Sequence, residues 1–181
     1  MGNLFANQDI NAFFQNAINK DFARTNLFRV VNITTPVVTF DPTDLVYITS
    51  TTLPSREISN ISTPFMGLKF NIPGTATYPG SEGWQVKFRV GQDLQVRNKL
   101  EVWSRSIFDD ATSTGSYGAG SLGTVNLALM DKTGGVISGY TLVGAYLQKL
   151  GTFELNTTED GKLVETTATI AYQYWTNFLI P

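Results

Sequence analysis

The chain has 181 residues, 42% of them hydrophobic and only 15% charged, with a formal net charge of -2. That length and composition fit one domain with a full hydrophobic core, and the charge excludes a strongly basic binder of nucleic acid. Cys and His are both absent, so disulfides, thiolate nucleophiles, the usual zinc ligands and the commonest general base go together, and the chain reads as a non-enzyme without cofactor or metal. A low charge fraction also suits a surface covered by copies of the same chain, because obligate interfaces are more apolar than free surface.

The first residues, MGNLFANQDINAFF, show no basic leader followed by an apolar core. No later run approaches the roughly 20 apolar residues of a membrane span, so the chain is expected to be made and kept in cytoplasm, with no membrane partner. Residues 8–20 read as a short helix with Ile10, Phe13, Phe14, Ala17 and Ile18 on one side and Asp9 as its cap. That apolar side must be buried, and a neighbouring copy is favoured over the chain's own domain. Residues 27–33 read as a strand with apolar side chains on both faces, hence buried on both. Residues 45–50 read as a second strand, rich in β-branched and aromatic side chains. In residues 53–74, Pro54, Pro64 and Pro73 surround a strand-like 66–72 and argue for an edge hairpin or extended loop.

The organising stretch is 84–110. Trp84, Val86, Phe88 and Val90 alternate with Gln85, Lys87 and Arg89, the period of a half-buried strand. After Asp93, the expected N-cap, Val96, Leu100, Trp103 and Ile107 recur at helical spacing. Trp84, Val86, Phe88, Val96, Leu100 and Trp103 are therefore the candidate core, one helix packed on a sheet. Residues 111–123, ATSTGSYGAGSLG, should be mobile or order only against a partner.

Strands return at 124–131 and 136–147 around the turn Lys132-Thr133-Gly134-Gly135. Residues 152–156 lead through Glu159-Asp160-Gly161 to a long final strand, 162–175, followed by an apolar tail of Phe178, Leu179 and Ile180. One face of the final strand carries Thr166, Ala168, Ile170 and Tyr172; the other carries Glu165, Thr167, Thr169 and Gln173. A face of Glu, Thr and Gln either lines water in a barrel or meets bulk solvent.

Two patterns invite a chemical reading. Gly118-Ala119-Gly120-Ser121-Leu122-Gly123 spells a dinucleotide fingerprint but lacks the preceding strand and following helix that the motif needs. Asp109-Asp110 and Glu159-Asp160 are carboxylate pairs in polar turns, whereas glycosidase carboxylates must face each other across a cleft. Both are read as loop residues, and the sequons at Asn32, Asn60 and Asn156 as ordinary turns and strands.

In four places the sequence resembles the tail tube proteins of contractile-tailed bacteriophages, relatives of the tube proteins of contractile injection systems. Asp21-Phe22-Ala23-Arg24 with Asn26-Leu27-Phe28 is similar to the family's opening to its first strand. Leu53-Pro54, Pro64-Phe65-Met66 and the run Lys69-Phe70-Asn71-Ile72-Pro73-Gly74 are similar to its long loop and hairpin. Trp84-Gln85-Val86 with Val102-Trp103 resembles its strand-helix core, and Tyr172-Gln173-Tyr174-Trp175 its aromatic strand end. The chain departs from the pattern before Asp21, at Thr25 where proline is common, and over residues 36–43.

The resemblance implies a mainly β (α+β) fold: a β-sandwich or half-barrel with one packed α-helix, plus a short N-terminal helix. Residues 1–20 would be an extension and 21–181 the tail-tube-like domain. Six copies would close into a ring, and rings would stack into the hollow inner tube of a virion tail that conducts DNA without binding it. Partners would be the chain itself and the tail sheath, baseplate and tape-measure proteins. Glu165, Thr167, Thr169 and Gln173 would then face the lumen, where few basic residues are expected. Phe13, Phe14, Ser55, Arg56, Glu57, Ile58 and Met66 would lie between subunits or rings. The alternatives are a tube protein of an injection or secretion machine, a baseplate tube initiator, and, from another class, a small-ligand carrier built as a β-barrel.

Overall fold

One strand, too long for a single partner, sets the architecture. The computed structural model describes residues 10–20, 22–116, 118–153, 155–158 and 161–178. The expected cap Asp9, the pair Glu159-Asp160 and the tail residues Leu179 and Ile180 lie outside these. The elements in order are α1 (Ile10–Lys20), β1 (Phe28–Thr34), α2 (Pro42–Leu45), β2 (Ile48–Thr51), β3 (Glu57–Phe65) and β4 (Leu68–Thr77). Then come β5 (Trp84–Arg89), α3 (Gln95–Ile107), β6 (Phe108–Asp109), β7 (Thr114–Gly115), a 3-10 turn at Ala119–Ser121, β8 (Gly123–Met130), β9 (Val136–Leu150), β10 (Glu165–Ala171) and β11 (Tyr174–Phe178).

The fold is mainly β. An antiparallel seven-stranded sheet runs β1-β8-β9-β10-β5-β2, and β11 also pairs with β9. The 15-residue β9 pairs through its first part with β8 and β11 and through its last part with β10. The handover falls at Gly144, whose φ of +69° is left-handed and whose missing Cβ makes room for the Gln173 side chain. Both halves of the sheet feed one core. Val30, Ile33, Val125, Leu127 and Leu142 come from the first half, and Trp84, Val86, Phe88, Ala168 and Ile170 from the second. Val96, Leu100 and Trp103 of α3 fill the space between, with the Phe40 ring edge-on to Trp103 at 6.3 Å. Each such side chain contributes about 1.5–3 kcal/mol on burial, which is what holds α3 to the sheet. The Trp103 indole N–H finds no acceptor among the described residues.

Several local expectations need correction. Helix α3 begins one residue later than the sequence implies. Leu94 is the N-cap, in left-handed conformation (φ 54°), while Asp93 still accepts the Gln95 N–H at 3.3 Å. Strand β1 is buried on one face only, at Val30 and Ile33, with Val31 exposed. A bulge between Val30 and Asn32 shifts the phase by one, and that shift made the sequence look apolar on both sides. Residues 42–45 are a helical turn because Pro42 suits a first helical position and the Asp44 carboxylate accepts the Asp41 N–H (2.8 Å), so the next strand starts only at Ile48.

Within the glycine- and serine-rich stretch, the described residues make specific hydrogen bonds. Asp109 accepts hydrogen bonds from the Ala111 N–H and the Thr112 hydroxyl, both at 3.0 Å, which hold its carboxyl below the ordinary range. Buried Ser121 Oγ lies 2.6 Å from the Ser116 carbonyl and 2.8 Å from that of Gly118. The final strand is interrupted at Tyr172-Gln173, leaving β10 and β11 as separate pieces.

Candidate assembly surfaces

Strands β3 and β4 form a two-stranded sheet of their own, apart from the main one. The Met66-Gly67 turn joins them, with φ of 49° and 81°, positive at both positions as a two-residue primed turn requires. Register then sorts the ribbon into unlike faces. Ile61 lies opposite Ile72, Thr63 opposite Phe70 and Phe65 opposite Leu68, so one face is apolar. Ser62 opposite Asn71 and Pro64 opposite Lys69 make the other face polar. The apolar face is not covered: Ile61, Phe65, Leu68, Phe70 and Ile72 are each 50–63% exposed. An isolated two-stranded ribbon is marginal in water, and prolines are tolerated in it because both its strands are edges.

The root of this ribbon is held firmly. Trp84 Nε1 donates to the Thr52 carbonyl (2.7 Å), Trp175 Nε1 to that of Ser55 (3.0 Å), and Ser55 Oγ to that of Pro79 (2.7 Å). Ser55, Arg56, Glu57, Ile58 and Met66 are exposed along the ribbon and its root. Helix α1 is the second uncovered apolar surface. Ile10, Phe13, Phe14 and Ile18 lie on one side of it and are 56–78% exposed, with Phe13 touching Phe14 and Phe22.

The third surface is the side of the main sheet turned away from the core. On β10, Thr166, Ala168 and Ile170 are buried, while Glu165, Thr167 and Thr169 point to the opposite side. Their cross-strand neighbours on β5 are Arg89, Lys87 and Gln85, and Thr169 also lies opposite Lys149 of β9. Arg89 Nε is 3.7 Å from Glu165 Oε1, both side chains well exposed. The expectation of few basic residues on this face is therefore corrected: Arg89, Lys87 and Lys149 stand there against Glu165. In the sequence Lys87 and Arg89 fall on the polar side of their own strand, and only the register of the folded sheet places them beside Thr167 and Glu165. The face continues as Asn126 and Thr141, whose hydroxyl donates to the Asn126 side-chain oxygen at 2.8 Å. Gln173 is set apart from this row, at the interruption between β10 and β11, where it lines a cleft with Tyr78, Gly80 and Glu82.

The six candidate core residues, Trp84, Val86, Phe88, Val96, Leu100 and Trp103, are all buried. Among the described residues no helix is long and apolar enough to cross a membrane, and no group of three His, Cys, Asp or Glu is placed to hold a metal.

No family model and no curated protein matches the sequence. Solved structures do match by shape. A chain in the cryo-EM structure of the anti-feeding prophage baseplate is similar with a TM-score of 0.62 and 14% identity, over 88% of this chain and 97% of that one. A chain of the anti-feeding prophage tube-terminating cap gives 0.61 and 13%, covering 89% and 93%. A chain of the PVC sheath/tube terminator, from an extracellular contractile injection system in its extended state, gives 0.61 and 12%, covering 88% and 99%. Mainly antiparallel β-structure with one packed helix is thus a fold that this chain shares with chains of the anti-feeding prophage baseplate and tube-terminating cap and of the PVC sheath/tube terminator, a tube-protein-like fold.

Proposed function

We propose that this chain is a structural protein that builds a tube: copies close head-to-tail into rings, and rings stack into a hollow conduit. The observation that carries this reading is the amphipathic β3–β4 ribbon, which leaves Ile61, Phe65, Leu68, Phe70 and Ile72 in water while its root is pinned by two indoles. A monomer gains nothing by holding such a face rigidly in solvent, whereas a neighbouring copy gains a dry contact. Among the described residues the main sheet ends in β1 and β2, and ring closure satisfies such edges. Sixfold rings are proposed by analogy with the baseplate neighbour, whose map is 6-fold symmetrised. In this reading residues 53–74 reach the adjacent ring, the row Glu165, Thr167 and Thr169 lines the bore, and sheath, baseplate and tape-measure proteins are the other partners.

Two machines use such a tube: a virion tail that passes DNA and an injection apparatus that passes other cargo. The cationic side chains Lys87 and Lys149 beside Thr167 and Thr169 favour the second, since they would retain a phosphate backbone rather than let it slide. The carrier reading has less support, because the space between the two halves of the sheet is filled by side chains such as Trp103, Phe88 and Leu127. Sedimentation and negative-stain imaging of purified protein test the proposal. Rings or tubes are expected; a monomer at every concentration overturns it.

A further inference from the structure

The two uncovered apolar surfaces complement each other. Helix α1 presents Ile10, Phe13, Phe14 and Ile18 along 11 residues, a length of about 16 Å at 1.5 Å per residue. The apolar side of the β3–β4 ribbon runs from Ile61 to Phe65 on one strand and from Leu68 to Ile72 on the other, about 13 Å at 3.3 Å per residue. A helix laid on a two-stranded ribbon is the minimal arrangement that gives such a ribbon a stable hydrophobic face.

Topology says which copy supplies the helix. Helix α1 precedes β1 and the ribbon follows β2, and these are the two opposite end strands of the main sheet. Within one chain both surfaces stay exposed. A head-to-tail contact, by contrast, joins unlike surfaces of successive copies. Four of the side chains are phenylalanines that are half or more exposed: Phe13, Phe14, Phe65 and Phe70. Each has on the order of 100 Å² to bury. With Ile10, Ile18, Ile61, Leu68 and Ile72 added, the burial reaches on the order of 1,000 Å², the lower bound for a specific interface.

We infer that α1 of one copy docks on the apolar face of the β3–β4 ribbon of a neighbouring copy, contributing the third element that the ribbon lacks. This rests on the tube reading and names the segment that couples the subunits.

The absence of cysteine makes a direct test clean. Ala17→Cys and Thr63→Cys place one small thiol on each surface without removing an anchor. Assembled mixtures of the two single variants, treated with a short bismaleimide, should give a heterodimer, and the double variant should give a ladder extending beyond dimer. Rings or tubes that form yet yield only intrachain closure, or no heterodimer, overturn the inference and leave the tube reading standing. A monomer that never assembles overturns both.

A second arm uses Phe14→Asp and Phe70→Asp, both outside the core, with far-ultraviolet circular dichroism to verify folding. Each should raise the concentration needed for assembly at least tenfold, and the pair should add little to either alone, because contacting residues are not additive. Fully multiplicative losses would show that the two surfaces meet different partners.

Discussion

The indole of Trp175 donates to the carbonyl of Ser55 at 3.0 Å, joining residues 120 positions apart in the chain. Its ring also stacks edge-on against Tyr140 and Tyr78, at 5.4 and 6.3 Å. One side chain therefore fastens the ribbon root to β9 and to the turn after β4. The ribbon consequently has a fixed direction even though Phe65, Met66 and Leu68 at its far end are exposed. Trp175→Phe removes the donor and trims the ring that packs on Tyr78 and Tyr140, which should cost about 1 kcal/mol or more. Hydrogen exchange should rise through residues 55–77 while the protection of β8 and β9 stays unchanged. Uniform exchange behaviour across the chain would refute the clamp.

The polar side of the sheet yields a prediction about cargo. If Lys87 and Lys149 line a bore, preformed tubes should retain short duplex DNA with a measurable salt dependence. Lys87→Gln with Lys149→Gln should flatten the plot of log affinity against log salt and leave tube length unaltered. An unchanged slope would put those lysines outside the bore.

Gly144 carries the handover of β9 from one set of partners to the next. Its φ of +69° costs a residue with a Cβ about 1–2 kcal/mol, and the Gln173 side chain already occupies the space. Gly144→Ala should lower the thermal midpoint by several degrees. The neighbouring change Gly134→Ala, also at positive φ but with open space around it, should cost less.

Lys99 provides a pH signature. Its Nζ bridges Asp41 (3.1 Å) and Asp44 (2.5 Å) of the α2 turn. The hydrogen bond to Asp44 is the main reason its pKa is raised above the ordinary lysine value; burial opposes the rise and Asp41 adds to it. A pKa that is higher folded than unfolded contributes stability that is fully present below about 10.4 and is lost as pH rises through the folded value. Denaturant unfolding of wild type and Lys99→Met should therefore show a gap that is widest near neutrality and narrows in strongly alkaline buffer. A gap independent of pH would mean that the lysine acts through packing alone.

Much of this fold was legible because its signals are local. The alternation Trp84, Val86, Phe88 and the helical spacing Val96, Leu100, Trp103 each lie within a few turns of chain, and all six side chains are buried together. What was not legible is register. Nothing within Lys87 or Thr167 states that strands 80 positions apart will set them side by side, so the charge of the polar face could not be read. Bulges mislead for a related reason. One extra residue between Val30 and Asn32 turns a one-faced strand into a sequence that looks buried on both sides. The assembly surfaces lay between these cases: three prolines and an apolar run marked residues 53–74 as unusual, but only pairing revealed that the apolar side chains share one side.

Met66 occupies the tip of the ribbon with its backbone in left-handed conformation and its side chain 88% exposed. A soluble turn of this kind ordinarily carries Asn, Asp or Gly. A thioether there adapts its shape to whatever it meets, and peroxide readily converts it to a polar sulfoxide. Its chemistry thus distinguishes two conditions of the molecule: a free protomer offers this sulfur to any oxidant, and a tip sealed into a partner withholds it.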